Sequence, residues 1–219
     1  MIFDLFSVED KKRNRAKFFF NSLFYDSMCH AIPGRPHSVF AEMIAGEKPA
    51  TVLDVCSGKC YTTRALARLL PASQINALDI SREMLSVARE RSETENLHNI
   101  RFYEQSAAQL PFESDSFDAV FISLGLHELP TEIRSAAMKE IFRVIKPGGR
   151  FFIMDLDKPD NFGFLMDFYL AIGEPEYAKD VLAGRLVKLL QKFGFEKIKK
   201  TSLLADFFQV IAAGKPANA

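Results

Sequence analysis

The chain has 219 residues, 48% of them hydrophobic and 26% charged, a composition typical of one globular domain with a substantial core. Lysine plus arginine equals aspartate plus glutamate at 28 each, so the overall charge argues against a nucleic-acid partner. No apolar run is long enough for a transmembrane segment, and three cysteines are too few for a disulfide framework, which favours a single cytoplasmic domain over residues 1–219.

The first 45 residues precede any strand signal and read as mostly helical, with phenylalanines concentrated at 18–24. We expect this segment to form a helical cap. Two interpretations use the same apolar side chains. The segment is either a lid over the strand ends or a dimerisation arm, and a homodimer is compatible with the second.

From residue 51, short β-rich runs alternate with helical segments. Strands are predicted at 51–55, 75–80, 99–105, 117–123 and 150–156, and helices at 62–70, 82–93 and 131–145. Ser81 and Thr131 are the expected N-caps of the second and third helix. Nearly continuous apolar strands that alternate with helices predict a parallel sheet covered on both faces.

The C-terminal part continues with a predicted helix over 181–193, closed by Gly194, and with strands at 195–202 and 207–215. The connection between these two strands is too short for a parallel crossover, so they should form an antiparallel hairpin. The fold class is therefore α/β, a doubly wound and mostly parallel sheet.

The stretch "DVCSGKC", Asp54 to Cys60, follows the first strand where a glycine-rich ligand loop is expected. It is a cofactor cradle, a Cys-x-x-x-Cys metal or redox site, or a decayed cradle. The four histidines show no zinc-like spacing with the cysteines, so no metal site is predicted; a thiol site for a soft metalloid would also need Cys29. Asp79 ends the second strand, where a carboxylate can bind both hydroxyls of a ribose or cap the following helix.

Four segments together carry a family resemblance: "VLDVCSGKCYTTRALA", "INALDIS", "SAAQLPFESDSFDAVFISLGLHELP" and "VIKPGGRFFIMDL". They resemble the successive motifs of class I S-adenosylmethionine-dependent methyltransferases and are most similar to the branch of ubiquinone and menaquinone biosynthesis C-methyltransferases. The resemblance implies a seven-stranded Rossmann-like sheet with an antiparallel last strand. It also implies a cofactor-binding core over residues 50–156, followed by substrate-side helices and the hairpin over 157–219.

The resemblance implies that S-adenosyl-L-methionine is the cofactor. Asp54 and Gly58 would shape the loop at its methionine end, with Asp54 holding the loop amides, while Asp79 would bind the ribose and Ile80 the adenine. Cys56 and Cys60 stand where the family has glycine, and Ser106 where it has aspartate. The full set of expected cofactor-binding residues is Tyr25, Asp54, Cys56, Gly58, Asp79, Ile80, Ser106, Ala107, Ser123 and Leu124.

The predicted activity is methyl transfer to a small, apolar acceptor, and the alternative is a cofactor-binding protein with little turnover. His127, in "LHELP" after the fourth strand, is the candidate catalytic base, or else a structural histidine. The phenylalanines at 18–24 and 162–168 form an apolar wall for the acceptor or fill the core. The basic residues from Arg185 to Lys200 form a solvated face or a peripheral membrane contact.

Overall fold

The computed structural model of the chain describes residues 36–161, 163–164, 166–167, 176–204 and 206–218. Of the predicted N-terminal cap, the described part is helix α1 (Pro36–Ala45) and the turn that follows it. Tyr25 and the phenylalanine-rich segment at 18–24 lie outside the described residues, so the lid and the arm both stay predictions.

Seven strands and five α-helices make up the described part of the fold. After α1 they are β1 (Thr51–Val55), α2 (Tyr61–Leu69), β2 (Gln74–Asp79), α3 (Arg82–Thr94), β3 (Ile100–Glu104), β4 (Phe117–Ser123), α4 (Thr131–Val144), β5 (Ile145–Leu156), a 3₁₀ helix (Glu176–Val181), α5 (Arg185–Lys192), β6 (Glu196–Leu203) and β7 (Phe208–Gly214).

The strands form one sheet in the order β3-β2-β1-β4-β5-β7-β6. The first five strands of the chain pair in parallel, and β7 lies antiparallel between β5 and β6. The predicted fold class is confirmed, including the antiparallel C-terminal hairpin. Chain order reverses at β1, which has β2 on one side and β4 on the other, and this reversal opens a crevice at the carboxyl ends of these strands.

Alternate residues of the central strands enter two separate apolar clusters, one on each face of the sheet. In β4, Val120 and Ile122 pack with α4 and α5, whereas Ala119 and Phe121 pack with α1, α2 and α3. The ring of Phe40 in α1 meets that of Phe121 edge-on, with 6.0 Å between centroids. Burial on both faces explains why these strands read as continuous apolar runs rather than alternating ones.

Helix starts agree with the sequence at Ser81 but not at Thr131. The Ser81 hydroxyl accepts a hydrogen bond from the Met84 amide at 3.2 Å, so the predicted N-cap is confirmed. Helix α4 has Pro130 at the N-cap position, without a side-chain cap, and Thr131 is its first helical residue. The prediction for Thr131 was wrong by one residue, because Thr131 already has helical geometry and the extended residue before the helix is Pro130 (φ −52°, ψ 150°).

Strand β5 begins directly after α4, five residues earlier than the sequence predicts. Ile145 pairs with Phe117, the register then shifts, and Arg150 pairs with Ala119. The bulge between them requires Gly149, because a Cβ there would lie 2.7 Å from the Ile145 side chain and 3.0 Å from the Asp118 carbonyl oxygen. The helix therefore ends at Val144, and the Lys-Pro-Gly-Gly segment lies within β5, where it forms the bulge.

The predicted helix over 181–193 is divided. A 3₁₀ helix ends at Val181, Gly184 adopts a φ of +75°, and α5 begins at Arg185. Beyond it, β6 forms an edge of the sheet, exposes Lys197, Lys199 and Lys200, and is interrupted by a register shift between Glu196 and Lys199. None of the helices in the described ranges has the length and apolar content of a membrane span.

Candidate functional site

The carboxyl ends of the parallel strands are joined to one another by backbone hydrogen bonds. The amide of Ser57 donates to the Leu78 carbonyl at 3.0 Å, and that of Gln105 donates to the Asp79 carbonyl at 3.0 Å. On the other side, the Leu124 amide donates to the Met154 carbonyl at 2.7 Å. These bonds fix the loops after β1, β3 and β4 around the crevice, where open α/β sheets bind their ligands.

The loop after β1 turns by placing alternate residues in the left-handed region. The φ angles are +59° at Cys56, +51° at Gly58 and +58° at Cys60. A Cβ on Gly58 would have nothing within 4 Å, so there is room for a side chain. Glycine is favoured there because of the positive φ. The two cysteines adopt the same conformation against their steric preference. The structure thus explains why a glycine pattern belongs at these positions and shows that cysteine can occupy them.

The thiols of this loop do not have the character of metal ligands. Burial raises the pKa of Cys60 to about 12 and that of Cys56 well above its usual value, and the nearby carboxylates raise both further. The thiol form therefore dominates, whereas metals bind the thiolate. Among the residues that the structure describes, no three cysteine, histidine or acidic side chains are grouped as a metal site would require.

Asp79 connects the second strand to the loop. Its Oδ2 accepts the Gly58 amide at 2.7 Å and its Oδ1 accepts the Ser81 amide at 2.8 Å, so the residue holds the cradle and also fixes Ser81, the N-cap residue of the following helix. Burial raises the Asp79 pKa, and these backbone bonds oppose the rise. The adjacent Ile80 side chain is 66% exposed, an unusual position for isoleucine that leaves an apolar surface beside the carboxylate.

Asp54 does not hold the loop amides as expected, because the Gly58 amide donates its hydrogen bond to Asp79. Its Oδ2 accepts the Thr63 hydroxyl of α2 instead, and its Oδ1 is buried without a hydrogen-bond partner in the described part of the chain. The side chain is 1% exposed, and burial raises its pKa well above the usual value. A buried acceptor without a partner is costly unless a ligand supplies a donor.

Ser106 and Ala107 follow the strand beside Asp79. The Ser106 hydroxyl accepts the Ala108 amide at 3.2 Å, and Ala107 is buried in the core. Because Gln105 is bonded to the Asp79 carbonyl, the start of this segment lies at the same end of the crevice as Asp79. The structure therefore brings Ser106 to the side predicted for the adenine.

Ser123 belongs to a polar network that the sequence did not reveal. The Thr62 hydroxyl donates to Ser123 Oγ at 3.1 Å, and His37 Nδ1 lies 2.8 Å from Thr62 Oγ1 and 3.2 Å from Ser123 Oγ. Burial, with a smaller contribution from the Arg64 charge, lowers the pKa of His37 to about 4. The network ties α1 and the start of α2 to the end of β4 through a neutral imidazole.

His127 is buried and bonded to a carboxylate. Its Nδ1 lies 2.5 Å from Oδ1 of Asp155, and its Nε2 lies 3.7 Å from Oε1 of Glu128. The loop that carries it packs on the cradle, because a Cβ on Gly125 would lie 2.7 Å from the Cys56 Cβ. Sequence reasoning missed Asp155, although its position at the end of the fifth strand was a usable signal.

A surface cleft of about 500 Å³ lies at the opposite end of the sheet. Its lining includes Lys48, Asp118 and Lys146. Lys146 Nζ and Asp118 Oδ1 form an ion pair at 2.6 Å. Ligands of open α/β sheets bind outside the carboxyl ends of the strands, so this cleft at the amino ends is not the candidate site.

Comparison with known proteins agrees with the geometry of the crevice. The model of the ubiE/COQ5 methyltransferase family matches residues 8–192. The chain belongs to the ubiE/COQ5 family. The demethylmenaquinone methyltransferase of Geobacillus stearothermophilus is 34% identical over 165 residues, which cover 72% of this chain and 70% of that protein. The enzyme of the same name from Bacillus subtilis is 31% identical over 170 residues, 74% of this chain and 72% of the relative.

Among solved structures, a SAM dependent methyltransferase from Aquifex aeolicus has a TM-score of 0.64 at 21% identity and covers 84% of this chain and 93% of its own. This likeness is one of fold. As a member of the ubiE/COQ5 family, the protein is an S-adenosylmethionine-dependent methyltransferase that acts on a small, apolar acceptor. The crevice fits that cofactor, because the orphaned oxygen of Asp54 is an acceptor suited to a cationic donor group.

Proposed function

We propose that this ubiE/COQ5 family member methylates a ring carbon of a quinol, using the crevice at the ends of β1, β2 and β4 to hold S-adenosylmethionine. The observation that carries the proposal is the extent of the match to demethylmenaquinone methyltransferases, which reaches 72% of the chain at 34% identity. An electron-rich ring carbon can attack a methyl group on a sulfonium, and the cofactor supplies that methyl group already activated.

The individual cofactor contacts are part of this proposal. Asp79, which holds the cradle through Gly58, would accept the ribose hydroxyls with its remaining lone pairs, and exposed Ile80 would pack on the adenine. The free oxygen of Asp54 would face the methionine end. Cys56 and Leu124 would line the loops, with Ser123 and the segment at Ser106 and Ala107 completing the pocket.

The test is a product assay with isotopically labelled S-adenosylmethionine and a reduced naphthoquinone that carries a prenyl chain and one open ring carbon. We expect one labelled methyl group on that carbon, identified by mass spectrometry. The matched control is the same quinol with the carbon already methylated, which should accept no label. Cofactor binding by calorimetry without any labelled product would contradict the proposal and favour a cofactor-binding protein without turnover.

Three further expectations stay predictions. They are a cytoplasmic location, a homodimer, and the lack of a nucleic-acid partner. The predicted contact of Tyr25 with the cofactor also stays a prediction, since that residue lies outside the described part of the chain.

A further inference from the structure

A carboxylate lies directly behind the candidate base. Asp155, near the end of β5, is fully buried. Its Oδ1 contacts Nδ1 of His127 at 2.5 Å and the Leu156 amide at 2.8 Å. Its Oδ2 accepts the amides of Leu126 at 3.0 Å and of His127 at 3.3 Å. The side chain therefore serves as an acceptor toward the loop that carries the histidine.

This contact selects one tautomer of the imidazole. A carboxylate has no proton to donate, so a ring nitrogen at hydrogen-bond distance from it must carry the hydrogen. With the hydrogen on Nδ1, the lone pair of the neutral ring lies on Nε2. Because Asp155 also binds the backbone amide of His127, both the ring and the main chain of this residue are fixed by a single carboxylate.

The same loop is braced from α4 by a buried arginine. The Arg134 Nε donates to the Leu126 carbonyl at 3.0 Å, and its Nη2 donates to the carbonyls of Leu129 at 2.9 Å and Tyr177 at 2.8 Å. The carboxylate on β5 and the guanidinium on α4 thus hold the loop from two sides, and each also compensates part of the other's charge.

His127 belongs to the same crevice as the cradle. Gly125, two residues earlier, packs on Cys56 so closely that a Cβ would clash. The charges of Asp155 and Glu128 also contribute to the raised pKa of Cys56, which indicates that these carboxylates lie within electrostatic reach of the loop after β1. Within the described part of the chain, Asp155 from β5 and Glu128 from its own loop face His127, and Arg134 from α4 bonds the carbonyl of the neighbouring Leu126.

We propose that Asp155 is a positioning residue that holds His127 in the Nδ1–H tautomer, so that Nε2 takes the proton which the methyl acceptor loses. The inference rests on the proposed function. The acceptor atom forms a bond to the methyl carbon while the sulfur–carbon bond breaks and its electron pair stays on sulfur. The bond from the acceptor atom to its hydrogen then breaks, its electrons return to the acceptor, and the proton moves to Nε2.

The proposal narrows the acceptor to compounds whose attacking atom bears a proton in the reactive form. A ring carbon of a hydroxylated aromatic compound meets this condition, since the proton must leave before aromaticity returns. A tertiary amine or a thioether does not, because neither has a proton to lose and a base would have no task.

The tautomer can be measured without turnover. Long-range proton–nitrogen NMR on the ¹⁵N-histidine-labelled protein, with His127→Gln to assign the signal, should show the Nδ1–H form in the wild type. Asp155→Asn should shift His127 toward the Nε2–H form, and Asp155→Glu should restore part of the original signal. A wild-type spectrum with the Nε2–H form overturns the proposal, even if the asparagine variant does not fold.

Kinetics supplies the second readout. Asp155→Asn should lower kcat by about 10²–10⁴-fold, the usual contribution of general acid–base catalysis, with little change in KM for either substrate. The matched control is Asp157→Asn, a buried carboxylate on the same strand extension that accepts the amides of Lys158 and Ala183 but does not touch His127. This control should keep both the tautomer and kcat.

The outcomes test the positioning role of Asp155 separately from the proposed function. An active wild type with an unchanged kcat in Asp155→Asn overturns the positioning role and leaves the proposed function intact. A wild type that binds S-adenosylmethionine but methylates no quinol overturns the proposed function, and with it the use of the dyad as a base.

Discussion

Cys56 and Cys60 show how a residue can keep a conformation that it does not favour. Both have a φ near +60° in the loop where the family resemblance expects glycine. A left-handed conformation costs a residue with a Cβ roughly 1–2 kcal/mol. The loop could be located from the sequence. Whether it keeps its positive φ angles when cysteine replaces glycine could not be decided from the sequence.

This strain predicts a reversed order of stability between alanine and glycine. At most positions a protein with alanine has a higher unfolding free energy than one with glycine. At Cys56 the glycine variant should instead be more stable than the alanine variant by about 1 kcal/mol. Urea denaturation of Cys56→Gly and Cys56→Ala measures the difference. A pair of variants at Ser86, an exposed helical position, provides the control and should show the ordinary order.

His37 predicts a loss of stability in acid. Its folded pKa is about 4, below the unfolded value of 6.5, so the unfolded state binds more protons between these values. Stability from the neutral imidazole is therefore complete above pH 6.5 and decreases as the pH falls toward 4, by about 3 kcal/mol in total.

The contribution of His37 can be isolated by comparison with His37→Gln. The difference in unfolding free energy between wild type and variant should shrink as the pH falls from 6.5 to 4, because glutamine does not titrate. The control is Thr62→Val, which removes one hydroxyl partner of the ring but keeps the histidine, so the acid-dependent loss of stability should remain in this variant. A constant difference across this range would show that the network of His37, Thr62 and Ser123 does not depend on a neutral ring.

Asp79 should have a larger effect on cofactor binding than its ribose contact alone suggests. Asp79→Asn weakens every hydrogen bond that the carboxylate accepts, including that from Gly58 in the cradle. We expect binding of S-adenosylmethionine to weaken by about 1–3 kcal/mol, the range of charge-assisted hydrogen bonds. Calorimetry measures the change, and Asp118→Asn, at the opposite end of the sheet, should leave the affinity unaltered. Equal affinities in the two variants would refute the assignment.

At the scale of elements, Arg134 connects α4, the loop after β4 and the 3₁₀ helix. Removing it leaves buried carbonyls without donors, and Arg134→Gln should lower the unfolding free energy by about 3 kcal/mol. Arg185 provides the comparison, since it also lies 3.5 Å from Asp180 but is exposed. Arg185→Gln should cost less than about 0.5 kcal/mol.

Urea denaturation measures the unfolding free energy of both arginine variants. Hydrogen exchange shows which part of the structure is affected in Arg134→Gln. We expect faster exchange at Leu126 and at His127 in Arg134→Gln, because the loop loses its brace from α4. Unaltered exchange there, despite lower global stability, would limit Arg134 to a role in the core.

Element boundaries were predictable where a local signal sets them. Ser81 was found from its side-chain chemistry, whereas Thr131 was misplaced because Pro130 takes the position before the helix. The early start of β5 at Ile145 depends on pairing with Phe117, 28 residues away in the chain. Helical spacing likewise hid the break before α5, because the periodic leucines continue through Gly184.

At the scale of the molecule, the order of elements was enough to predict the sheet and its crevice. The alternation of strands and helices determines a doubly wound sheet, and the short final connection determines the antiparallel hairpin. The partners of the site were not predictable in the same way. Asp155 lies 28 residues from His127, and Ser123 lies 86 residues from His37, so only the folded chain brings them together.

The edge strand β6 has a consequence for behaviour in concentrated solution. Among the described strands, β6 has no neighbour on its outer side. Such an edge is a template for pairing with another copy, and two of them would bring Lys197 and Lys199 close to the lysines of the second copy. The register shift before Lys199 further disturbs the repeat that such pairing needs. The positive charges of these lysines repel one another. Since salt screens this repulsion, the edge should oppose fibrillar aggregation best at low ionic strength.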